Sequence, residues 1–220
     1  RAEERRAQGR HERQREYHAK ARALVKPEIL WEIDRGHALT VDHINRAATV
    51  RTNEEIGMRL VIDHLVEKGH KNIAYISGVS SVVSKDRQAG YEKAMAECGL
   101  SKYINVIKAP TDDETAGYEA TKTLLSSKNA PTAIACFNDL QAIGAQAAIQ
   151  DLGAKVALVG YDNTYLSSLS QISLTSVDPG NREIADKCAD FLLEDDVNLK
   201  LTHFSTPTLV ARSSSAKGVK

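Results

Sequence analysis

Two polar side chains stand where a strand gives way to a loop. Residues 132–136 form a short apolar run after Pro131, and Asn138 follows it after Phe137. Residues 156–159 form a second run, and Asp162 lies in the Gly160-Tyr161-Asp162-Asn163 loop behind it. In an open α/β sheet, ligands sit outside the carboxyl ends of the parallel strands. An amide that donates and accepts, near a carboxylate that accepts, suits a polyhydroxylated or heterocyclic small molecule. No nucleophile–base pair and no metal-ligand set stands out beside them. The pattern therefore points to binding rather than catalysis, with no cofactor and no metal.

Regular strand–helix alternation from Thr49 onward supplies the elements that must position these groups. Asn138 and Asp139 break the first strand and can cap a helix over 140–152, which Gly153 ends. Upstream, Asn53 caps a helix with Ile56, Leu60, Leu65 and Val66 on one side. Glu54 and Glu55 favour its first turn, and Lys68-Gly69 closes it. Residues 73–76 read as a buried strand. The loop containing Gly78, Ser80 and Ser81 follows, and Ser84 is expected to cap the next helix, with Arg87 in its first turn. An arginine at such a junction is either a surface ion-pair partner or a ligand contact, and local sequence leaves both open. Residues 106–107 form a short strand. Asp112, Asp113 and Glu114 then lead a helix and complement its dipole. Residues 174–177 are another strand, followed by an Asp178-Pro179-Gly180 turn and a helix made amphipathic by Ile184, Cys188, Phe191 and Leu192. Residues 204–211 are expected as one final strand, an edge strand because of Pro207. Residues 213–220 are expected as a disordered tail.

Composition bounds the rest. The 220 residues carry 29 basic and 29 acidic side chains. No net field favours nucleic acid or a membrane surface. No apolar run reaches the roughly 20 residues of a membrane span, and the Arg1-Ala2-Glu3-Glu4-Arg5-Arg6 start lacks the apolar core of a secretory signal. Three widely spaced cysteines suit buried, reduced thiols in a cytoplasmic protein. Residues 1–26 have helical composition with excess arginine and almost no apolar face, as in a solvated helix or a basic arm touching phosphates. Pro27 and Thr40 open two short helices around Arg35-Gly36-His37. These form a helical hairpin or a helix-turn-helix, in which His43, Asn45 and Arg46 are the candidates for contacting DNA.

Phe137-Asn138-Asp139 and Val159-Gly160-Tyr161-Asp162-Asn163-Thr164 closely resemble the effector-binding core of the LacI/GalR family of bacterial transcription regulators. Asp63-His64-Leu65, Lys68-Gly69-His70-Lys71-Asn72-Ile73, Ser84-Lys85-Asp86-Arg87-Gln88-Ala89-Gly90-Tyr91, Leu174-Thr175-Ser176-Val177 and Thr206-Pro207-Thr208-Leu209-Val210-Ala211-Arg212 support the likeness, which covers about residues 49–215. The resemblance implies a periplasmic-binding-protein-like fold: a parallel, doubly wound α/β lobe, here over 49–212 after a helical segment over 1–48. It implies Arg87, Asn138 and Asp162 as effector contacts. Family proteins often place a stacking aromatic ring near Asp113; this chain has none, and Asp113 is expected to bind a hydroxyl instead. A sugar is the first effector class implied, a purine or nucleoside the second, with a homodimer as the assembly. DNA binding would fall to residues 1–48 or to a headpiece outside the chain. The first lobe of the fold is not matched, so the chain reads as truncated or chimeric. In that case residues 24–48, or a second copy, would cover the apolar face of the helix near 182–194. The rival reading is a scaffold whose effector site is vestigial.

Overall fold

The computed structural model describes residues 49–193 and 201–216. The chain divides into two compact units, Arg1–Val50 with Asp186–His203, and Arg51–Ala185 with Phe204–Lys220. The helices expected before Thr49, with His43, Asn45 and Arg46, lie outside the described residues.

Strand β1 (Thr49–Thr52) is followed by helix α1 (Glu54–Glu67), β2 (Ile73–Ser77), α2 (Val82–Glu97), β3 (Asn105–Lys108) and α3 (Glu114–Leu125). Then come β4 (Ala133–Cys136), α4 (Asp139–Asp151), β5 (Ala157–Tyr161), β6 (Thr175–Asp178), α5 (Asn181–Leu193), β7 (Thr202–Ser205) and β8 (Thr208–Val210). The main sheet runs β3-β2-β4-β5-β6-β8. Its first five strands are parallel, and β8 is an antiparallel edge. This is the doubly wound lobe expected.

Period-two alternation in the strands feeds two apolar layers. On one face Ile73, Tyr75, Val159 and Tyr161 pack with Met58, Ile62 and Leu65 of α1 and Tyr91 and Met95 of α2. On the other, Ala74, Ile76, Ile134 and Leu158 pack with Ala116, Ala120 and Leu124 of α3 and Ala142 and Ala145 of α4. Glycines stand where α3 meets α4 and let the two backbones come close: a Cβ on Gly117 would fall 2.0 Å from the Gln141 carbonyl oxygen, and one on Gly144 1.8 Å from that of Glu114.

Four boundaries differ from expectation. Strand β5 runs on through Gly160 and Tyr161, expected in the loop behind it. Helix α2 starts at Val82, one turn earlier than Ser84 suggests. Ser81 is the extended residue whose side chain accepts from Ser84 N–H, while the buried Ser84 hydroxyl donates to the Gly78 carbonyl. Arg87 therefore sits in the second turn. Residues 204–211 are two strands rather than one: β7 pairs with β1, and β8 joins the main sheet beside β6. Pro207, which has no N–H to give a ladder, stands between them. Ser213–Ser215, expected as the start of a tail, form a 3-10 turn. Ser215 is fully buried, and Ser214 Oγ donates to the Leu158 carbonyl. Their hydroxyls supply the hydrogen bonds that make burial of a serine run tolerable. Of the cysteines, Cys136 is buried, whereas Cys98 and Cys188 are half-exposed; all three are free thiols.

Candidate functional site

In the strand order, β3 lies on one side of β2 and β4 on the other. Successive crossovers therefore run in opposite directions at the β2/β4 junction, the switch point outside which open α/β sheets ordinarily take their ligands. The loop after Ser77 and the Phe137-Asn138 segment after Cys136 flank it. Asp162 follows β5, the next strand along. All four expected contacts stand on this carboxyl edge.

Arg87 reaches the edge from α2. Its Nε donates to Glu54 Oε2 at 2.9 Å, Nη1 to the Phe137 carbonyl at 2.5 Å and Nη2 to Asp162 Oδ1 at 3.3 Å. Its guanidinium carbon lies 3.6 Å from the Tyr161 ring centroid and 4.8 Å from that of Phe137. The Arg87 and Glu54 side chains are 7% and 5% exposed. Burial works against the Arg87 charge, but Glu54 and then Asp162 outweigh it and hold its pKa above the ordinary value. A Cβ on Gly57 would fall 2.1 Å from the Tyr161 hydroxyl oxygen, so glycine there is what allows Tyr161 to lie beneath Arg87.

Asp162 is the more open partner of the cluster, with its side chain 38% exposed. Its backbone has φ +98°, and that of Asn163 has φ +44°. Such conformations cost a non-glycine residue about 1–3 kcal/mol and persist only where neighbours hold them. The neighbours do so here. Asp162 N–H donates to the Val177 carbonyl and Asn163 N–H to Ser176 Oγ. Asn163 Oδ1 accepts from Arg212 Nη2 at 2.8 Å, and its Nδ2 donates to Asp178. Buried Asp139 accepts from both Thr164 N–H and Ser176 Oγ. Burial raises the Asp162 carboxyl pKa, against the pull of Arg87.

Asn138 caps α4: its Oδ1 accepts from Gln141 N–H, and its Nδ2 donates to the Asp112 carbonyl. Asp113 caps α3 by accepting from Ala116 N–H, which lowers its pKa. The structure thus joins Asp162 to Arg87 directly, and joins Arg87 to Asn138 through Phe137. Asp113 follows Asp112, whose carbonyl Asn138 engages.

The family described as "Periplasmic binding protein-like domain" matches residues 62–215. The chain belongs to it. Within it the chain is of the LacI/GalR group, as an effector-binding domain. The HTH-type transcriptional repressor PurR of Actinobacillus pleuropneumoniae is 32% identical over 76% of this chain and 50% of that protein. The HTH-type transcriptional regulator GalR of Escherichia coli is 31% identical over 75% and 50%. The chain spans about half the length of these curated relatives. Among solved structures, a LacI transcriptional regulator from a Rhodococcus species superposes with TM-score 0.75 at 31% identity, over 79% of this chain and 66% of that one.

Glu54, Tyr161 and Arg212 escaped the sequence reading. Glu54 looks like an acid serving a helix dipole, and its real partner is 33 positions away. Tyr161 looks like part of the loop that carries Asp162, and Arg212 like part of a terminal motif. Only the strand order brings them together, although a glycine one helical turn after Glu54 is a faint local sign of a close approach.

Proposed function

We propose that this LacI/GalR-type domain binds a small polar effector at the β2/β4 crevice and serves as the sensing part of a transcription regulator. Asp162 accepts hydrogen bonds from the effector, Arg87 supports it, and Asn138 and Asp113 contribute from the neighbouring caps. The observation that carries this reading is the Asp162 carboxylate. It is held in a costly backbone conformation at the carboxyl end of β5, one strand from the switch point, and is partly open to solvent, and its Oδ2 has no hydrogen-bond partner among the described residues. Strain concentrated at a half-open polar group is characteristic of a binding site.

A sugar is the first effector class. A purine or nucleoside is the second, and the PurR relatives favour it. The regulator works as a homodimer, like the solved dimeric lac repressor, which is 29% identical to this chain. DNA contact belongs to parts outside the described residues. The effector shifts the regulator only through unequal affinity for its two states.

Calorimetric titration of the chain with free sugars, nucleobases and nucleosides tests the proposal. It requires heat with one class and its loss in Asp162→Ala. A defined oligomer that gives no heat with any compound would favour the scaffold reading instead.

A further inference from the structure

The polar groups on the carboxyl edge are already committed in a way that bears on the effector's charge. Helix N-termini beside a crevice ordinarily offer free N–H groups to anions. Here a side chain of the chain itself takes one first-turn N–H at each of three helix starts. Ser81 Oγ takes Ser84 N–H at 3.0 Å, Asp113 Oδ1 takes Ala116 N–H at 2.9 Å and Asn138 Oδ1 takes Gln141 N–H at 2.8 Å. Loop amides are taken too. Val79 N–H donates to Asp112 Oδ1 at 2.8 Å, and Thr164 N–H donates to Asp139 Oδ2 at 2.7 Å.

The Arg87 guanidinium is likewise committed. Glu54 engages it through Nε at 2.9 Å and Nη2 at 3.5 Å, and Asp162 shares Nη2. Counting formal charges, one guanidinium against two carboxylates leaves this cluster at −1. An incoming phosphate or carboxylate would meet that net negative charge, and would compete with the capping side chains for the N–H groups they hold.

We infer that the effector is an uncharged molecule, and that Glu54 is the specificity residue that excludes its phosphorylated or carboxylate-bearing relatives. This rests on the reading of the edge as the effector site. Glu54 acts through Arg87, by cancelling a cation that would otherwise attract anions. An uncharged hydroxyl or ring N–H keeps what it needs, the open oxygen of Asp162.

Two measurements on the full chain test this. In the first, inorganic phosphate is titrated while NMR follows Arg87 Nε–H and the Val79, Asn138 and Thr164 amides. No shift is expected in the wild type, and Glu54→Gln should acquire one; Asp162→Asn removes a charge from the exposed side and serves if Glu54→Gln does not fold. A phosphate-dependent shift in the wild type, or none in either variant, would overturn the inference. In the second, calorimetry compares uncharged sugars and nucleosides with their phosphate esters. The ester should bind at least about tenfold more weakly than its parent, the size expected when two added charges meet a net negative site in a partly solvated crevice. An ester that binds as tightly as its parent overturns the inference and leaves the effector reading standing. If neither parent nor ester binds, the effector reading fails and takes the inference with it.

Discussion

Replacing Arg87 by Met tests the buried centre of the site. The substitution keeps apolar contact with Tyr161 and removes the charge that faces Glu54. The pair is 2.9 Å apart at its closest, with side chains 7% and 5% exposed, so solvent cannot stand in for the lost partner. Breaking such a pair from one side costs about 3–5 kcal/mol, because a charge is left buried and uncompensated. Glu54→Gln alone leaves Arg87 with Asp162 and the Phe137 carbonyl, and should cost less. In the Arg87→Met/Glu54→Gln double variant no buried charge is stranded, and much of the loss should return. The coupling between the two changes should be about 2–3 kcal/mol. Urea denaturation of the four proteins at neutral pH, followed by circular dichroism, gives each free energy. A cost below about 1 kcal/mol for Arg87→Met, or additive single effects, would refute the claim that this pair is a coupled, desolvated unit.

Two further predictions concern the scaffold. Gly144→Ala should destabilise by about 1–3 kcal/mol, because its Cβ would meet the Glu114 carbonyl oxygen at 1.8 Å and push α3 from α4. Gly153→Ala meets no atom within 4 Å, and its φ of +60° limits the loss to about 1–2 kcal/mol; thermal melts of the two variants should rank them in that order. Burial raises the Asp139 carboxyl pKa despite its bonds to Ser176 and Thr164. Since the folded value lies above the unfolded one, ionisation costs folding free energy. That cost is absent below the ordinary carboxylate range and grows as pH rises to the folded value. The stability difference between wild type and Asp139→Asn should therefore change across that window; a difference flat with pH would contradict it.

Much of the fold was legible because its signals are local. Asn53, Asp113 and Asn138 announce their helices, and each accepts an N–H three residues on. Gly153 ends α4, with Ala154 N–H returning to the Ile149 carbonyl. Ser81 and Ser84 are equally good caps of α2 on paper; the bonds from Ser84 N–H to Ser81 Oγ and from the Ser84 hydroxyl to the Gly78 carbonyl tell them apart. The split of residues 204–211 depends on which sheet each half joins, and that is a tertiary matter. At the site, Asn138 and Asp162 could be placed because each lies within two residues of a strand's carboxyl end. The Glu54–Arg87 pair could not be, since its two members lie on different helices and meet only after the sheet has formed.

The most direct measurement is a map of backbone amide shifts as the chain is titrated with whichever uncharged sugar or nucleoside gives calorimetric heat. Perturbations are predicted at Gly78–Ser81, Phe137–Asn138 and Asp162–Asn163, at the carboxyl ends of β2, β4 and β5. Perturbations centred on Asn72, Thr132 and Val156, at the opposite ends of those strands, would contradict the account.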